Sequence, residues 1–172
     1  MRRVVLLLVA ASIMSVGLMA GPASAAKKIT SCQKDKNVNA NIQAAFVPFF
    51  LGATSADRVK TVADGTKITA LLDESTAAAQ AAGQSSSSTA TYPVAIQATC
   101  DSKTTATFTY DLALGLPKPV TNPPSTGVGL KFAGDALLKK GKWLISAGTI
   151  CDLIGANPNT PTIGPRCLDA IS

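Results

Sequence analysis

The sequence predicts an α+β domain, with N-terminal helices packed on one face of an antiparallel sheet of about four to five strands. Three observations predict it. From Val38 onward apolar residues recur three and four positions apart (Val38, Ile42, Ala45, Phe46, Phe49, Phe50), the spacing of one helix face. From Tyr92 the period changes to two, first in Tyr92, Val94, Ile96 and Ala98, then in Ala106, Phe108, Tyr110, Leu112 and Leu114. Between the two regimes lies a Gly/Ser-rich stretch over 83–89, read as a low-complexity hinge.

Residues 1–25 have the three-part build of a secretory signal peptide: the positive start Met1-Arg2-Arg3, an apolar run over 4–20, and small residues in Ala23-Ser24-Ala25 after the breakers Gly21 and Pro22. As a membrane span the run only reaches the short edge of the ~17–25 residues required. A lipidated alternative exists in Ile29-Thr30-Ser31-Cys32, which resembles a lipobox, although Lys27 and Lys28 separate it from the apolar run. Lipidation at Cys32 would also leave Cys100, Cys151 and Cys167, an odd number in an oxidising compartment. Export without a lipid keeps the count even, and no integral membrane segment then remains after cleavage.

Residues 26–37 are polar and charged, and are expected to form a flexible, extended or loosely ordered N-terminal segment. A helix follows over 38–52, with Pro48 as a kink or early end. Ser55 is expected to cap a second short helix running to Ala63, stopped by Asp64-Gly65, and Thr66 to cap a third that runs to Ala82. After the hinge, a strand centred on Tyr92, Val94 and Ile96 turns at Asp101-Ser102-Lys103 into the longer strand with Phe108 and Tyr110. A Pro-rich loop follows over 116–127. A third strand is expected through Val128, Leu130 and Phe132, and a fourth over 136–139. The Lys140-Gly141 turn then leads to Trp143, Ile145 and Ala147. The domain proper is placed at 38–154, followed by a disulfide-tethered, Pro-rich tail over 155–172.

The chain has 172 residues, no histidine and four cysteines. The missing histidine excludes Ser-His-Asp and Cys-His catalysis and His-ligated zinc. Sixteen Lys and Arg face ten Asp and Glu, a net charge of +6 that loses Arg2 and Arg3 with the signal. The densest basic cluster, Lys139-Lys140-Gly141-Lys142, reads as a solvated turn, so no nucleic-acid partner is expected. No cofactor or metal is expected either. The cysteines contain no CxxC pair, which points to structural disulfides in an exported protein. Of the three connectivities, Cys151 with Cys167 and Cys32 with Cys100 is the expected one. The first closes a loop rich in Pro and Gly, and a loop of about 15 residues gains roughly 3 kcal/mol from closure in the chain-entropy model.

The succession Ile42-x-x-Ala45-Phe46-x-x-Phe49-Phe50, Gly52-x-Thr54, Ala106-Thr107-Phe108-Thr109-Tyr110-Asp111-Leu112, Gly141-Lys142-Trp143-Leu144-Ile145-Ser146 and Thr149-Ile150-Cys151-x-Leu153 resembles the exported actinobacterial family named after the mycobacterial low-molecular-weight secreted antigen. The resemblance covers roughly 38–154. It implies a cystatin-like cone of the nuclear-transport-factor type and no established activity. It also implies that some members carry a lipobox cysteine before the domain. The stretch Ala133-Gly134-Asp135 departs from the family pattern and puts the strand register there in question.

A cone of this type can enclose an apolar ligand, and the candidate lining residues are Phe46, Phe49, Phe50, Phe108, Tyr110 and Trp143. Tyr92 and Tyr110 are expected to point inward, whereas Asp111 points the opposite way from Tyr110 because strand side chains alternate. The two cannot then converge as an acid–base pair. Asp73 and Glu74 are the adjacent carboxylates and are expected to face water. Ser31-Cys32-Gln33-Lys34 matches SxxK without its partner elements, and Gly127-Val128-Gly129 lacks the third glycine of a phosphate loop. No catalytic residue is therefore assigned. The expected function is an exported, non-enzymatic binding or interaction module of the cell envelope or culture fluid. It would take a small apolar ligand or an envelope component, through the pocket or the loops over 115–127 and 155–166. A pocket enzyme of isomerase or cyclase type is the alternative, and a passive wall-associated protein is a third.

Overall fold

The computed structural model describes residues 28–83 and 89–172. The signal-peptide expectation over 1–25 and most of the hinge over 83–89 lie outside the described residues. The fold class is the expected one: helices and a curved five-stranded sheet form an α+β domain.

Helix α1 (Val38–Leu51) buries Ile42, Ala45, Phe46 and Phe49, the stripe that its apolar spacing dictates. Pro48 falls in its last turn, where the missing N–H costs one helical bond and the chain is already about to leave the helix. The next turn, α2 (Ser55–Arg58), is shorter than expected. Its cap is Thr54, whose side chain accepts from the Asp57 N–H, rather than Ser55. A 3-10 turn (Val59–Thr61) then leads into the two-residue strand β1 (Val62–Ala63). Asp64 adopts a left-handed conformation (φ 58°). Another 3-10 turn (Gly65–Ile68) precedes α3 (Thr69–Ala81), so Thr66 is not its cap.

Strands β2 (Thr89–Cys100), β3 (Thr105–Pro117), β4 (Phe132–Lys139) and β5 (Lys142–Ser146) form an antiparallel meander, and β1 adds to β5 in parallel. The order is β1-β5-β4-β3-β2, so the sheet is mixed rather than wholly antiparallel. Lys140 and Gly141, both with positive φ, make the tight turn between β4 and β5, the geometry a two-residue hairpin prefers. Ala95 (φ 53°) marks a bulge in β2, where the register to β3 shifts between Val94 and Gln97. The outer edge of β2 is covered by α1: Gln43 donates to the Pro93 carbonyl (2.8 Å) and the Ala98 N–H donates to Asn39 (2.9 Å). Side-chain amides thus satisfy backbone groups that an open edge would expose.

Further expectations are corrected in the strands, the N-terminal segment and the tail. The third strand through Val128 and Leu130 does not form; both are exposed, at 51% and 60%, and pairing begins only at Phe132 and continues unbroken through Ala133-Gly134-Asp135. Leu114 leaves the inward face (53% exposed): β3 pairs with β4 only as far as Tyr110, and its register to β2 shifts between Tyr92 and Ala90, beside Gly115 with positive φ. The N-terminal segment is not loose from Ser31 onward. The Cys32 N–H donates to the Lys103 carbonyl (2.8 Å), Gln33 donates to the Ser102 carbonyl, and Cys32 is buried.

The tail, finally, is not merely tethered. Helices α4 (Ala147–Gly155) and α5 (Ile163–Ile171) follow β5, and Ile150, Ile154 and Ile163 join the same core as α1 and the sheet. Prolines concealed α5, since Pro165 sits in its first turn, where proline is tolerated. The two helices cross backbone to backbone: a Cβ on Gly164 would lie 2.5 Å from the Gly155 Cα.

Candidate functional site

Five of the six aromatic candidates converge, but on each other, while Trp143 is buried elsewhere in the same core. Phe46 lies at the centre, with ring centroids 4.9 Å from Tyr110, 5.0 Å from Phe50 and 5.8 Å from Phe108. The Tyr110 and Phe108 contacts are edge-on, the arrangement that aromatic quadrupoles favour. Phe49 packs on Phe50 (5.2 Å), and Tyr110 stacks on Phe132 (5.4 Å). Phe46, Phe49, Phe108, Tyr110 and Trp143 are all buried. Phe132, read from the sequence only as a strand residue, completes the cluster. Its signal was present, since it shares the inward alternation of a β-strand facing the helices.

Trp143 is held by a polar contact that sequence reasoning missed. Its indole N–H donates to Asp35 (2.8 Å), which also accepts from the Asn41 side chain and the Asn37 N–H. Asp35 thereby joins the N-terminal segment, α1 and β5. Partial burial on its own raises the Asp35 carboxyl, but the bonds from Asn41, Trp143 and Asn37 outweigh it and hold it below the ordinary value. Burial pushes the Tyr110 phenol well up, and the Asp152 charge adds to that. A phenol moved away from neutrality is a poor general acid or base.

Asp111 does point away from Tyr110, yet it does not reach solvent. It accepts from the Gly129 N–H (2.8 Å) and pins the loop after β3 against the strand. A Cβ at Gly127 would lie 2.4 Å from the Asp111 Cγ, so that position requires glycine. Tyr92 is half-buried but does not point inward as expected: it pairs with Ala113, on the face that Asp111 occupies, because the bulge at Ala95 reverses the alternation of β2. Asp73 and Glu74 are exposed, and Glu74 pairs with Arg166 (2.7 Å). Cys32 is bonded to Cys100 and Cys151 to Cys167, with Cα separations of 5.7 and 5.3 Å. Among the described residues no group of three or more His, Cys, Asp or Glu is placed to hold a metal ion. No helix among them is long and apolar enough to cross a membrane.

The concave surface lies one turn beyond Phe46. An open cleft of about 990 Å³ is bordered by Phe50, Leu51 and Arg58 at the α1–α2 corner, by Thr76 of α3, and by Lys118 and Val120 after β3. Of the six aromatic candidates, Phe50 alone borders it. Arg58 is held rigidly there. Its Nε donates to the Phe49 carbonyl (2.7 Å) and its guanidinium carbon sits 4.5 Å from the centre of the Phe49 ring. Gly52 makes this possible, because a Cβ there would lie 2.8 Å from the Arg58 Cγ and 2.9 Å from the Pro48 carbonyl. Burial pushes the Arg58 guanidinium below its ordinary value. No sequence pattern announced the site, since Arg58 lies in a turn whose orientation depends on the α1–α2 corner.

The family model described as "Low molecular weight antigen MTB12, C-terminal domain" matches residues 33–161. No curated protein and no solved structure matches the chain.

Proposed function

The chain belongs to the low molecular weight antigen MTB12 family, and on that premise we propose that it is an exported, non-enzymatic binding module of the cell envelope or culture fluid. The observation that carries this reading is the closed aromatic centre. Rings from α1, β3 and β4 fill the space where a pocket enzyme would need substrate, so recognition moves to the outside: the cleft at the α1–α2 corner and the loops beside it. The leader-like pattern over 1–25 and the two disulfides support export to an oxidising compartment. Release rather than lipid anchoring is supported by Cys32. Its sulfur is committed to Cys100, and a lipid would use that same atom.

Two measurements test the reading. The intact mass of the protein exported by its own host should correspond to a chain starting at Ala26 with both disulfides formed; an acylated Cys32 overturns release. Native mass spectrometry and in-culture cross-linking of the same material should show a bound small molecule or envelope component. Material that carries neither over repeated preparations counts against a binding role.

A further inference from the structure

We propose that the cleft at the C-terminal end of α1 binds a small anionic amphiphile, with its carboxylate or phosphate head on the Arg58 guanidinium and its apolar body along Phe50, Leu51 and Val120. The inference rests on the reading of the chain as a binding module and names the ligand class for it.

Arg58 carries the argument. Among the described residues the ion pairs are Lys60–Asp57, Lys139–Asp64 and Arg166–Glu74, and Arg58 takes part in none of them. Its neighbours in sequence and space find partners on the surface, while this half-buried cation has a ring on one face and a carbonyl on one edge. Both contacts orient the group without neutralising it. A guanidinium has five N–H donors, and the Nε bond to Phe49 uses one. The remaining fork matches the paired oxygens of a carboxylate or phosphate, which would be held at a cost in side-chain entropy already met by the protein. Asp73 borders the same cleft, but it is exposed and lies beyond ion-pairing distance of Arg58, so water solvates it.

The rest of the cleft says that the ligand is more than an inorganic ion. Its volume of about 990 Å³ fits a drug-sized molecule. Leu51, 38% exposed, lies beside Phe50 and Val120, both half-buried, and so supplies apolar surface within the cleft. Thr54 and Thr76 add hydroxyls at its border. A fixed charge next to apolar walls is the complement of an amphiphile.

The test is a titration of the chain, with both disulfides formed, by decanoate, decyl phosphate and decanol, followed by calorimetry and by backbone amide shifts at the cleft. At least one of the two anions should bind once per chain and saturate, and decanol should bind about 10- to 100-fold more weakly, the worth of a charge-assisted pair. Whichever anion is preferred identifies the head as carboxylate or phosphate. Arg58→Gln should abolish the preference over decanol and Arg58→Lys should retain part of it. Ala53→Glu, at an exposed position on the cleft border, should weaken the anions alone, and it decides the matter if Arg58→Gln folds poorly. Equal binding of decanol and the anions removes the inference and leaves the binding module standing. Absence of saturable binding by every probe also overturns it, while the native mass and cross-linking results judge the binding role separately.

Discussion

Phe46 and Phe50 stand one helical turn apart on α1 and meet opposite environments. Around Phe46 the sheet and helices close completely: Tyr110, Phe108 and Phe49 occupy the space, and Ile150 and Ile154 of α4 belong to the same core. Around Phe50 the helix is ending, Gly52 turns the chain aside, and the surface opens into the cleft with Arg58 on its border. One apolar stripe thus serves both as core and as the wall of a concavity. Helical spacing puts residues on a face, but the extent of what packs against that face decides whether they are sealed.

The strongest way to break this contrast is Phe46→Ala. Removing the central ring should cost about 3–5 kcal/mol, the range for a large buried aromatic, read as a lowered urea midpoint with an unchanged slope. A much smaller loss would mean that the centre is not packed as tightly as its ring geometry implies. Opening the core from the α4–α5 side comes next. Replacing Cys151 and Cys167 together by Ala should cost about 3 kcal/mol on the loop-entropy account. The drop in melting temperature should match that seen for the wild type with this bridge selectively reduced.

Phe50→Ala sharpens the comparison. Because that ring is only partly buried and borders the cleft, the loss should be nearer 1–2 kcal/mol, in proportion to the smaller apolar area withdrawn from water. A cost equal to that of Phe46→Ala would show that the cleft is closed in solution. The smallest effect is expected for Trp143→Phe, which removes one donor from Asp35 and has a pH signature. A carboxyl held below its ordinary value contributes stability above the unfolded pKa of about 3.9 and loses it as pH falls through the lower folded value. The variant has less of that contribution to lose. The gap between its urea midpoint and that of the wild type should therefore narrow as the solution is acidified through that range, and a constant gap would exclude the Asp35 contact as its source.

What could be read from the chain alone follows from short-range chemistry. The three- and four-residue spacing placed α1, alternation placed the inward face of β3 from Ala106 to Leu112, Lys140-Gly141 announced its turn, and the missing histidine closed off several mechanisms. Where reading failed, a local rule met a competing tertiary one. Val128 and Leu130 alternate like a strand, but Asp111 holds Gly129 and keeps that stretch in a loop. The prolines near the end read as an irregular tail, yet the Gly155–Gly164 crossing lets two short helices pack and complete the core.

Residues 26–37 read as a loosely ordered segment because they are polar and charged. Asp35 is valuable only once Trp143, more than a hundred residues away, is brought to it by the fold. The sequence by itself determined the class of fold, the pairing expected of its four cysteines and the aromatic stripe. Tertiary structure alone decided that the stripe is sealed at Phe46 and open at Phe50, and that Arg58 stands beside that opening without a counter-charge. Periodicity is a property of neighbours along the chain, whereas exclusion of water and the pairing of charges depend on distances between residues that meet only after folding.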